Sequence, residues 1–187
     1  MFSNIKLLSI DLSKFQSSQV KSMSKMFYRC TMLTSVNFNN FDTSLVTDIS
    51  YLFCECSSLK TLDLSNFNTK SINTMKATFK SCSSLQSLDL NNFDTSGVTE
   101  IDSLFNNCNS LREVSLDNFN TSLIKNFSYI FNACNSLGSI DLRSFNTSKA
   151  NNMEHMFHDC NSLRFLDISS FKTPQVTNMN SMFYECN

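Results

Sequence analysis

Seven of the eight cysteines in this chain recur at one spacing: Cys30, Cys56, Cys82, Cys108, Cys134, Cys160 and Cys186 stand 26 residues apart. Thiols in such number could cross-link, ligate a metal or attack a substrate, and each chemistry makes a demand on geometry. Cysteines stacked in one column would come within Cα range of a disulfide, but their parallel Cβ vectors fit its geometry poorly. Zinc needs a second ligand pair at short spacing; neither Cys54 with Cys56, nor His155 and His158 with Cys160, has one. No serine or cysteine pairs recognisably with a histidine and an acid, and two glycines, Gly97 and Gly138, cannot make a phosphate-cradling loop. The periodic cysteines therefore read as small buried hydrophobes carrying free thiols. Cys54 shares its column with Tyr28, Lys80, Asn106, Asn132, His158 and Tyr184, so it is expected at the surface, and the two histidines on exposed helix and turn positions. No catalytic residue, metal site or cofactor is expected.

The carboxylates are the more informative set. Asp11, Asn37, Asp63, Asp89, Ser115, Asp141 and Asp167 form a second 26-residue column. Like charges on adjacent strands repel, so their recurrence requires an explanation. One reading is structural: the aspartates bond loop amides or pair with Lys60, Arg112 and Arg164, and keep sheet faces from aggregating. The other is a polar strip for a protein or glycan ligand, with Ca²⁺ between carboxylates as a variant. Glu113, Asp117, Arg143 and Phe165 depart from the repeat on the same strip. The candidate ligand-binding set is thus Asp63, Asp89, Glu113, Asp117, Asp141, Arg143, Phe165 and Asp167. The sequons at Asn120, Asn126 and Asn146 are of the kind that a chain rich in Asn, Ser and Thr produces by chance.

Two half-units must position these residues. In the first, Leu59, Leu62, Leu64 and Phe67 alternate with Thr61, Asp63 and Ser65, the period of a short strand with one buried face. One such strand per coil, all in the same direction, predicts a parallel sheet. In the second, Ile72, Met75, Thr78, Phe79 and Cys82 fall within an arc of roughly 120° at helical pitch, predicting a short helix of two to three turns, part of it 3₁₀. The preceding column, Ser17, Thr43, Thr69, Thr95, Thr121, Thr147 and Thr173, suits its N-cap, and Pro174 suits its first position. The methionine column of Met23, Met75, Met153 and Met179, with Met26, Met156 and Met182, reads as core packing. The expected architecture is an α/β solenoid of seven 26-residue coils, with the parallel sheet on its concave side and short helices on its convex side.

One coil cannot stand alone. About nine apolar positions at ~1.5–3 kcal/mol each barely offset a backbone entropy of ~1–2 kcal/mol per residue. Stacking must supply the balance. With 2 Gly and 1 Pro, the turns must rely on Asn, Asp, Ser and Thr bonding nearby backbone. A net charge of -1 without a basic run argues against nucleic acid or an anionic membrane as partner. No apolar run approaches the ~18 residues of a membrane span, and Met1 to Leu12 lacks the pattern of a secretory signal. Met1-Phe2 echoes Met26-Phe27 one residue out of phase, and neither end shows a polar cap. Residues 1–187 read as one array, a fragment of a longer chain, whose end coils would fray or self-associate end to end.

The pattern of Leu-Asp-Leu, Asn-Phe-Asp/Asn-Thr-Ser and Met-Phe-x-x-Cys resembles the 26-residue repeat of bacterial surface proteins, the BspA-like branch of the leucine-rich repeats. The match runs over essentially the whole chain; Ala150, Thr78 and Ser115 depart from it locally. The resemblance implies a leucine-rich-repeat solenoid and a cell-surface or extracellular role in adhesion or host interaction, and it does not imply an enzyme. A structural spacer or intracellular scaffold is the alternative.

Overall fold

The computed structural model describes residues 1–187. Its strands are β1 (Ser9–Asp11), β2 (Ser35–Asn37), β3 (Ser87–Asp89), β4 (Glu113–Ser115), β5 (Ser139–Ile140) and β6 (Phe165–Leu166). They pair in parallel as β1–β2, β3–β4 and β5–β6, each with partners one 26-residue repeat apart. The alternation expected from sequence is present: Ile10, Leu88 and Val114 point into the core while Asp11, Ser87, Asp89 and Glu113 face out. The sheet is not continuous. Thr61–Asp63 lies outside the named strands, and the ladder divides into three pairs.

The second half of each coil contains no helix, which corrects the helix and N-cap expectations. Amides of alternate residues point along the solenoid axis: Met23, Lys25, Phe27 and Arg29 donate to the carbonyls of Asp48, Ser50, Leu52 and Cys54 in the next coil, at 2.8–3.0 Å. The amides between them close tight turns, as Met26 to Met23 and Cys30 to Phe27, both at 3.1 Å. The third residue of each of these turns has a positive φ, 56° at Lys25 and 60° at Arg29, and the same two columns repeat it down the chain. Such a type II turn normally selects glycine or asparagine. Here the strained positions include Tyr51, Glu55, Ala77, Tyr129 and Asp159, and no glycine. The bond each of them donates to its neighbour coil, 2.7–3.0 Å long, helps hold the conformation.

The threonine column also works between coils rather than as caps. The Thr43 hydroxyl accepts the Asn68 N–H at 2.8 Å and donates to the Asn68 carbonyl at 3.1 Å. Thr95 does the same at Asn120, Thr121 at Asn146 and Thr147 at Lys172. All four threonines are buried, so each hydroxyl finds in the backbone of the next coil both the donor and the acceptor it would otherwise lack.

Between these two sides lies one core cluster of 49 buried residues. Its axis is a phenylalanine stack: Phe27, Phe53, Phe79, Phe105, Phe131, Phe157 and Phe183 follow one another at 5.4–6.0 Å with ring planes within 10°. Phe2 joins the stack on Phe27 at 5.7 Å, so the structure absorbs the one-residue phase shift at the N-terminus. The methionine column packs in the core as expected at Met23, Met75 and Met153, whereas Met179 is exposed.

Every cysteine is a free thiol, as the column argument required. Each periodic thiol donates to the carbonyl of a spine phenylalanine in the coil before it, as Cys82 to Phe53 and Cys108 to Phe79, both at 3.1 Å. Cys54 corrects the sequence reading: it is buried, 2% exposed, although its column neighbour Tyr184 is largely exposed. A small thiol can sink into the wall where a larger polar side chain in the same column reaches outward.

Candidate binding face

Asp11, Asp63, Asp89, Asp141 and Asp167 each accept, through Oδ1, the amide N–H two residues on, at 2.9–3.0 Å. This turn ends the strand and fixes the carboxylate on the outward face. The structural reading of the aspartate column is therefore correct as far as loop amides go. Ion pairing with Lys60, Arg112 and Arg164 does not occur; the carboxylate that meets a cation is Asp141, gripped side-on by Arg143, with Nε at 3.0 and 2.9 Å from its two oxygens. The Arg143 side chain and then its amide hold the Asp141 carboxyl down to about 2. Asp63 and Asp167 are lowered by the hydroxyl and amide of Ser65 and Ser169, and Asp11 by the amide and hydroxyl of Ser13. These carboxylates are ionised throughout the neutral range.

The candidate residues fall into two shallow depressions on the outward strand face. The first, about 530 Å³, is lined by Thr61, Asp63, Ser87, Asp89, Glu113 and Ser115, with Leu62 and Leu88 at its floor. It is acidic and without a cation. The second, about 350 Å³, brings together Ser139, Ile140, Asp141, Arg143, Phe165 and Asp167. Phe165 is 67% exposed there, in a column otherwise held by Ser9, Ser35, Thr61, Ser87, Glu113 and Ser139. Asp117 lines neither depression; its amide donates to Asn91 Oδ1 at 3.0 Å, and its charge is felt by Arg143. Asp63, Asp89 and Glu113 thus form one group, and Asp141, Arg143, Phe165 and Asp167 another. Their carboxylates stand one per coil, and no three His, Cys, Asp or Glu side chains converge to hold a metal ion.

One cluster escaped the sequence reading. On the turn side, Tyr129 stacks on His155 at 4.9 Å, His155 tilts against His158 at 4.7 Å, and His158 stacks on Tyr184 at 5.3 Å. The signal was present in the sequence as aromatic pairs one period apart, 129 with 155 and 158 with 184. Ring faces are consumed by their neighbours in this ladder, which makes it a stacking element of the coil wall. No helix of the structure is long and apolar enough to cross a membrane.

A family model described as "Mycoplasma protein of unknown function, DUF285" matches residues 1–89, 31–116 and 75–187, and so spans the chain. The chain belongs to this family. Among curated proteins none matches the sequence. Solved structures do. A leucine-rich repeat protein from Eubacterium ventriosum aligns over 95% of this chain and 57% of its own, with 18% identity and a TM-score of 0.56. A leucine-rich repeat protein from Bacteroides ovatus aligns over 91% and 49%, with 20% identity and a TM-score of 0.49. A leucine-rich cell surface protein from Faecalibacterium prausnitzii aligns over 86% and 42%, with 19% identity and a TM-score of 0.42. The Eubacterium likeness bears out the leucine-rich-repeat resemblance at the level of fold. The chain spans about half the length of these proteins.

Proposed function

We propose that this DUF285 chain is a non-enzymatic binding module that holds a protein or glycan ligand against the outward face of its strands, displayed at the cell surface or outside the cell. The observation that carries the reading is Phe165: a large apolar side chain left in solvent beside Arg143, on a face that otherwise repeats small polar residues and carboxylates. Exposed aromatics and arginines are the side chains that most often dominate a binding interface. Surface display rests on the resemblance of the repeat to BspA-like proteins.

The test is a screen of purified protein against arrays of host proteins and glycans, followed by Asp63→Ala, Asp89→Ala, Asp141→Ala and Phe165→Ala. Binding should weaken while the circular dichroism and melting temperature stay close to those of the parent. Undiminished binding across the whole set would refute the strand face as the site. Protease shaving of intact cells, with release of the repeat, checks surface display.

A further inference from the structure

The outward strand face is far more acidic than the chain that carries it. Its seven carboxylates (the five turn aspartates, Glu113 and Asp117) less the one charge of Arg143 give -6, on a molecule whose net charge is -1. Lys60, Arg112 and Arg164 stand at the rim, one residue before the outward position of their coils, and pair with no carboxylate.

The turns do not explain this charge. Asn37 closes the same turn as its aspartate neighbours, accepting the Asn39 N–H at 3.0 Å. In another column of identical turns, Asp42 and Asp94 serve interchangeably with Asn68, Asn120 and Asn146. Asparagine would therefore do on the strand face, where Asp63 and Asp89, and Asp141 and Asp167, stand on adjacent coils with like charges that repel. A neutral ligand would leave that repulsion in place. A cationic one would relieve it.

We infer that the strand face docks a lysine- or arginine-rich protein segment, with an apolar or aromatic side chain of that segment covering Phe165; this rests on the reading of the strand face as the binding surface. Charge complementarity sets the register of such a segment across the coils and speeds its encounter. The Phe165 depression supplies the apolar contact that a purely ionic strip lacks.

The probes are fluorescent octalysine, an octapeptide alternating lysine and phenylalanine, and octaglutamate, read by anisotropy. The variant Asp63→Asn, Asp89→Asn, Asp141→Asn, Asp167→Asn keeps the turns as Asn37 does. The control Glu55→Gln, Glu100→Gln, Glu154→Gln, Glu185→Gln changes the net charge equally, away from the strand face. The aspartate variant should weaken octalysine at least tenfold and the control less than threefold, with affinity falling as salt rises. Phe165→Ala should weaken the alternating peptide more than octalysine. Equal losses in the two quadruple variants, or comparable binding of octaglutamate, would overturn the inference. If uncharged peptides or neutral oligosaccharides bind in a Phe165-dependent way while octalysine ignores the strand-face aspartates, the cationic partner fails and the binding face stands. If only the control set weakens octalysine, both fail.

Discussion

Alkaline titration puts the buried thiol column to a quantitative test. In the unfolded chain each cysteine ionises near its ordinary value of 9.0, whereas burial in the folded chain pushes Cys82, Cys108 and Cys134 well above it. Burial likewise raises Cys160 to about 12. The folded state favours the neutral thiol, so this contribution is complete below pH 9 and is lost as pH rises beyond it. At pH 10 the unfolded chain gains about 1.4 kcal/mol per such thiol, or about 4 kcal/mol for the three that are wholly buried. That is a large part of the 5–15 kcal/mol typical of a domain. The assay is urea denaturation under reducing conditions at pH 7, 8, 9 and 10, beside the triple variant Cys82→Ala, Cys108→Ala, Cys134→Ala. The variant starts weaker, having lost packing and three thiol-to-carbonyl bonds, but it should lose about 4 kcal/mol less between pH 8 and pH 10. Lysine and tyrosine titrations are common to both proteins and cancel. If the two lose stability in parallel, the thiols are not protected by burial and the reasoning is wrong.

Four further outcomes follow from the same structure. In Ellman titration of the native protein, half-buried Cys186 should react first and the other seven thiols, Cys54 included, only on unfolding. Phe105→Ala, in the middle of the spine, should cost about 3–5 kcal/mol, and Phe183→Ala at its open end distinctly less, read as shifts in the urea midpoint. Thr121→Val keeps shape but removes both hydrogen bonds to the Asn146 backbone, for about 1–3 kcal/mol, whereas Thr121→Ser should be tolerated as Ser17 is in its own coil. By NMR, Asp141 should titrate near pH 2 and move up in Arg143→Ala; its small exposed contribution is present above pH 4 and lost as pH falls toward 2.

Much of this protein could be read as columns. A strict 26-residue period means that a residue type repeated in one column meets itself in the next coil, so core, strand face and buried thiols were all assignable before any contact was known. The strand alternation named the outward residues correctly; of the departures from the repeat, Arg143 and Phe165 share a depression, whereas Glu113 lies in another and Asp117 in neither. The burial of Cys54 was not readable, because its column mixes small and large side chains whose reach differs.

The helices were misread for a physical reason. Successive four-residue turns return side chains to one side every three or four positions, as a helix does, so the spacing of Met75, Phe79 and Cys82 cannot separate the two. What separates them is the direction of the amides. A helix satisfies its own, whereas here alternate amides leave the coil for carbonyls one repeat away. The threonine hydroxyls follow the same logic, capping nothing in their own coil and bridging to the next. Sequence alone determined the period, the inward and outward faces and the place of the seven periodic thiols, since these depend on local alternation and repetition. Only the stacked structure decided the backbone of the second half-coil, because its hydrogen-bond partners belong to a different coil.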